Sequence, residues 1–137
     1  MILIGIDPGT TTGVGIWDKT QKKIVDIRSG GIIEMYHYVM GVHQSLYRHQ
    51  VKVYIEDARK RKWYGTNTKG KAQGAGSIKR DCKIWEEICT EHNWDYEMIH
   101  PIKGATKMNH KQFCRITGYT QRTNEHGRDA LMIVYGR

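Results

Sequence analysis

The sequence contains no CxxC pair, and its three cysteines, Cys82, Cys89 and Cys114, are odd in number. That argues against a disulfide framework, a zinc ribbon or a thioredoxin-type redox centre. Cys82 and Cys89 stand seven positions apart, on one face of a predicted helix, and the three read as buried free thiols. No apolar run approaches the ~20 residues that span a bilayer. The N-terminus lacks the basic start and cleavage region of a secretory signal. A soluble, cytoplasmic protein with no membrane contact is therefore expected. Repeats, low-complexity tracts and linkers are missing too, which leaves 1–137 as a single domain, large enough to bury a core without covalent staples. Acidic residues are scarce. Against 22 Lys and Arg there are 14 Asp and Glu, a formal net charge of +8. Such a balance suits a polyanionic partner, nucleic acid foremost, and equally describes an ordinary basic protein.

What is present reads as βββαβαβαα. Residues 2–6 and 14–17 are short apolar strands, with Pro8, Gly9 and Gly13 as turn chemistry between them. "KKIVDIRSGG" reads as a third strand of an antiparallel meander. "IIEMYHYVMGVHQSLYRHQ" carries Ile33, Tyr36, Val39 and Met40 near helical spacing. "VKVYIED" is a β-branched strand that follows this helix and so runs parallel to an earlier one. A basic loop over 58–76 precedes a helix from about Ser77 to His92, with Ile78, Cys82, Trp85, Ile88 and Cys89 as its apolar face. "YEMIHP" is a fifth strand. "NHKQFCRITG" is a short helix that Asn109 caps and Gly118 ends, and a last helix begins near Asn124 with Ala130, Leu131, Val134 and Tyr135 inward. The order implies an α/β fold with a mixed five-stranded sheet flanked by helices.

In such a sheet the first and fourth strands are parallel neighbours. Asp7 ends the first and Glu56 the fourth, which places both carboxylates at the edge where open α/β sheets hold their sites. Asp129 falls in the first turns of the last helix, with His126 three residues earlier on the same face. Converging carboxylates repel one another unless a divalent cation neutralises them. Oxygen donors favour Mg²⁺ or Mn²⁺, and two such ions can activate water and stabilise the leaving oxygen of a phosphodiester. Singly, each residue has a plainer reading. Asp7 caps a turn, Glu56 is the polar end of a strand, Asp129 complements a helix dipole, and His126 lies at the surface. The combination is far more specific than its members.

From Arg59 to Lys83 the chain carries nine Lys or Arg and one acid, Asp81. Arg59, Lys60, Arg61, Lys62, Lys69 and Lys71 suit phosphate contacts, and Trp63 and Tyr64 within the run suit stacking on unpaired bases. Lys79, Arg80 and Lys83 come early in their expected helix, against its dipole, which nucleic-acid binding would explain. A solvated basic loop is the plain alternative.

"ILIGIDPGTTTGVGIWD", "VYIEDARKRK", "KGKAQGAG" and "HGRDALMIV" occur in the order found in RuvC-type Holliday junction resolvases, and the resemblance spans nearly the whole chain. It implies a ribonuclease H-like fold, a homodimer, and magnesium-dependent cutting of branched DNA, with two ions in each active site. By position, Asp7, Glu56 and Asp129 resemble the family's metal-binding acids, and His126 a position that is acidic or histidine. Lys103 in "PIKG" and Lys111 in "HKQF" resemble basic positions that touch DNA or support catalysis. Gln73 stands where arginine is usual, and the short chain resembles a compact phage-type member. The competing readings are an RNA-processing nuclease of the same fold, of the YqgF type, and a catalytically inactive DNA-binding module. A sugar-kinase or chaperone-type ATPase, suggested by "GIDPGTTTG", needs two such domains and a longer chain.

Overall fold

The computed structural model describes residues 1–60, 69–101 and 108–137, with side chains 69–75 outside the described set. Strands β1 (Ile2–Asp7), β2 (Thr12–Asp18) and β3 (Lys23–Gly30) precede helix α1 (Ile32–Ser45) and strand β4 (Val51–Glu56). A 3₁₀ turn over Ala58–Lys60 follows, then α2 (Lys69–Glu91), β5 (Tyr96–Ile99), α3 (His110–Thr117) and α4 (Glu125–Val134). The strands form one sheet in the order β3-β2-β1-β4-β5. The β1–β2 and β2–β3 pairs are antiparallel, and β4 is parallel to both β1 and β5. This is the expected meander with parallel additions.

Both faces of the sheet are covered, which is why β1 reads as an unbroken apolar run rather than an alternation. On one face Ile4, Ile6, Val14, Ile16, Val53 and Ile55 meet Met35 and Val39 of α1 and Trp85 and Cys89 of α2. On the other, Leu3, Trp17 and Ile99 meet Phe113 of α3 and Leu131, Ile133 and Val134 of α4. Truncating a fully enclosed side chain such as Trp85 costs about 3–5 kcal/mol. Helix α3 has the expected ends. Asn109 and Gln112 form a reciprocal capping box, and Gly118 closes the helix with φ of 71°. Asn124 caps α4 through the Gly127 N–H. Among the described residues no helix is long and apolar enough to cross a membrane.

Several sequence expectations change, among them Ile78, which is exposed rather than on the apolar face of α2, and the end of α1, which comes at Ser45. Helix α2 begins at Lys69, not near Ser77, so part of the expected basic loop is helical. Lys79, Arg80 and Lys83 are then mid-helix, where the dipole argument has no force because the effect fades within the first turn. Helix α1 buries Met35 and Val39 while Ile33 is 68% exposed. The helix is rotated from the expected stripe, with the Tyr38 hydroxyl donating to Asp26 of β3 at 2.6 Å. Gly13 lies inside β2 and is no turn residue. Cys82 and Cys89 are buried free thiols as expected, but Cys114 is only half-buried, beside His110 at 3.5 Å.

Candidate active site

Registration of β1 against β4 pairs Ile6 with Ile55, so the next residues, Asp7 and Glu56, leave the sheet side by side at its C-terminal edge. Alternation along the strands puts Asp7 on the face of Leu3 and Gly5, and Glu56 on the face of Tyr54. That is the face α4 covers, since Leu3 and Tyr54 pack in its cluster. Both acids are half-buried.

Helix α4 reaches them along a seam of glycines. A Cβ on Gly5 would overlap the Ala130 carbonyl, one on Gly13 the His126 carbonyl, and one on Gly15 the Leu131 backbone. The helix backbone therefore lies directly on β1 and β2, closer than any side chain at these positions would permit. Gly13 is the register partner of Asp7, so the first turn of α4 rests next to that carboxylate. His126 Nδ1 stands 3.9 Å from Asp7 Oδ2, and its Nε2 3.6 Å from Glu125 Oε1. Asp129 follows three residues on, half-buried. The structure thus brings His126 to Asp7 and places Glu56 beside it in register. Among the described residues, no three His, Cys, Asp or Glu side chains are gathered as a metal-binding group. The glycine seam is the feature that sequence reading missed. Its signal was glycines at alternate positions, 13 and 15, inside an apolar strand, which marks a close backbone approach.

The cations distribute unevenly. Lys79 and Arg80 are exposed on α2, and Lys111 is exposed in the first turn of α3. Lys60 is exposed with Nζ donating to the Met98 carbonyl at 2.6 Å. Lys69 and Lys71 are in α2, with side chains outside the described set; Arg61, Lys62, Trp63, Tyr64 and Lys103 lie outside the described residues.

Arg59 is committed elsewhere. Its Nε and Nη2 donate to the two Asp57 oxygens at 2.8 and 3.0 Å, and Nη2 also donates to Glu86 of α2. Asp57 is 3% exposed. Burial pushes its carboxyl upward, but hydrogen bonds from the Arg59 guanidinium and N–H outweigh this and hold it below the usual range. The Asp57 partnership, then Glu86, raises the Arg59 pKa. This clamp ties the end of β4, directly after Glu56, to α2.

No family model matches the chain, and no curated protein sequence matches it. Among solved structures, RuvC of T. thermophilus in complex with Holliday junction substrate is similar, with a TM-score of 0.61 at 16% sequence identity over 98% of this chain and 91% of that one. The likeness establishes the fold: the mixed five-stranded sheet with flanking helices is ribonuclease H-like.

Proposed function

We propose that the chain is a metal-dependent, structure-selective DNA endonuclease that hydrolyses phosphodiester bonds in Holliday junctions or other branched DNA. The observation that carries this reading is the shared edge and face of Asp7 and Glu56, beside which the glycine seam seats the first turn of α4 with His126 3.9 Å from Asp7. The likeness to a protein solved with a Holliday junction supports the substrate class. The donor set, three carboxylates and an imidazole, fits Mg²⁺ or Mn²⁺, and Asp7, Glu56, Asp129 and His126 would hold the ions. When bound, such ions supply an activated water and stabilise the leaving oxygen. Helix α4 fixes the distance between the strand-borne and helix-borne donors. Lys60, Arg61, Lys62, Lys69, Lys71, Lys79, Arg80 and Lys103 contribute phosphate contacts, with Lys111 supporting the site from α3. Trp63 and Tyr64 stack on bases exposed at the branch. A homodimer acts, because symmetric cutting of a four-way junction takes two sites.

The test is a gel assay with magnesium on four-way, flap, duplex and RNA–DNA hybrid substrates in parallel, with light scattering on the protein and its junction complex. Cutting of four-way or flap DNA in preference to duplex is expected. Hybrid-only cutting would point to RNA processing, and binding without cutting in Mg²⁺ or Mn²⁺ to an inactive DNA-binding module.

A further inference from the structure

Beside the first turn of α4 an open groove of about 330 Å³ is lined by Ile27, Arg28, Ser29, Arg122, Thr123 and Asn124. We infer that it is a subsite for a DNA-backbone phosphate flanking the scissile one, held by Arg122 and the Ser29 hydroxyl. The inference rests on the nuclease reading for the identity of the strand, and on the groove's own chemistry for its preference for an anion.

That chemistry follows from the hydrogen bonds. The Asn124 Oδ1 accepts the Gly127 N–H at 2.9 Å. A backbone N–H can only donate, so this cap fixes which way the amide points. The Asn124 NH₂ must then face Ser29, and it donates to the Ser29 Oγ. With that oxygen already accepting, the Ser29 hydroxyl hydrogen is left to rotate toward the groove as a donor. Among the described residues, no carboxylate lines the groove, two arginines line it, and a third lies behind its wall. Arg122 is exposed. Arg28 is 58% exposed and shared with Asp26 at 3.0 Å. Arg128 lies behind the wall, 9% exposed. Its bonds to Met108 O at 2.9 Å, Thr123 O at 2.8 Å and Thr123 Oγ1 at 3.2 Å occupy donors on neutral acceptors. They pin Thr123 without neutralising the charge.

The position matches a nucleic-acid strand. Asp7 pairs with Gly13, and Gly13 pairs with Ser29. The groove is therefore in the same row as Asp7, two strand spacings or roughly 10 Å away. A strand whose scissile phosphate lies at Asp7 can therefore set a neighbouring phosphate over the groove.

Junction and duplex binding should be measured across a salt series for Arg122→Gln and Ser29→Ala, each in the Asp7→Asn background, with cleavage followed in the otherwise unaltered chain. Arg122→Gln should weaken binding about three- to fivefold and make the log–log salt slope shallower by about 0.9. Ser29→Ala should weaken it roughly two- to tenfold with the slope unchanged. Thermal melts that match the parent protein would show that neither effect is unfolding. Unaltered affinity and slope in both variants, while the parent still cuts branched DNA, overturn the subsite alone. The expected losses, with no cutting in any divalent metal, support a backbone-phosphate subsite and reject the nuclease reading on which its place beside a scissile phosphate rests. Inorganic phosphate that shifts the Ser29 and Arg122 amide resonances, with DNA affinity unaltered in the variants, would mark a free-anion site and overturn the strand assignment.

Discussion

Replacing Arg59 by alanine tests whether this residue is a clamp or a DNA contact. The change removes both guanidinium bonds to Asp57 and the one to Glu86, leaving a carboxylate whose side chain is 5% exposed. Stripping one partner from a buried pair costs about 3–5 kcal/mol. Arg59 is itself 31% exposed, and its backbone N–H bond to Asp57 at 3.0 Å survives. The expected loss is therefore smaller, about 2–3 kcal/mol at pH 7, against a total stability of about 5–15 kcal/mol. The sign of the pH dependence follows from the lowered Asp57 value. A depressed carboxyl contributes stability above its unfolded pKa of about 3.9, and that contribution fades as pH falls through the folded value. In Arg59→Ala burial acts with less opposition, so protonating Asp57 relieves the variant. The gap between the two proteins should narrow from pH 7 to pH 3.5. Urea unfolding followed by circular dichroism at both pH values reads this directly. Equal stability at pH 7, or a gap that ignores pH, refutes the clamp. The salt slope of DNA binding gives an independent check. It should not change in Arg59→Ala, whereas a slope shallower by about 0.9 would restore Arg59 to the phosphate contacts.

Asp7→Asn should abolish cutting while junction affinity stays near normal, and near-normal turnover in magnesium would remove Asp7 from the site. His126→Ala should slow cleavage at least tenfold and His126→Asp should recover most of it, as expected of a ligand position; an unaltered rate in His126→Ala rejects the role. Gly15→Ala places a methyl group against the Leu131 backbone and should cost about 1–3 kcal/mol through overpacking. The same change should lower cleavage more than DNA binding, and a melt equal to the parent's would show that the seam yields. Exchanging both Trp63 and Tyr64 for alanine should weaken junction binding by about 1–3 kcal/mol per lost stack and leave duplex binding nearly untouched. Equal losses on the two substrates would leave the loop a purely electrostatic role.

Strand tips were the most legible part of the chain. An apolar run that stops at Asp7, and another that stops at Glu56, has little meaning unless two buried parallel strands end together, and the register confirms that they do. The short helix α3 was equally plain, because Asn109 and Gly118 are local signals that need no tertiary partner. The start of α2 was hidden. "KGKAQGAG" holds Gly70, Gly74 and Gly76, each costing about 1 kcal/mol in a helix interior, and it lacks an apolar stripe. On α1, Ile33 misled because apolarity does not guarantee burial, while the Tyr38–Asp26 bond that helps set the helix's rotation joins elements the sequence cannot align. The Arg59 clamp was unreadable for the same reason: its Glu86 partner lies 27 positions away, and a lone arginine in a basic run looks like its neighbours.

The glycine seam also governs when the site comes into existence. Asp7 and His126 lie far apart in the sequence, and β1 pairs with β4 across an intervening helix. Contacts of such long sequence separation slow folding, since the connecting chain has to be ordered before they form. Because α4 meets β1 and β2 backbone to backbone, a displacement of α4 opens the packing at Gly5, Gly13 and Gly15 together. Amide hydrogens of β1 and α4 should accordingly exchange with solvent at one common, slowest rate, set by global opening. The acidic edge is then a property of the whole fold, gained and lost in a single cooperative step.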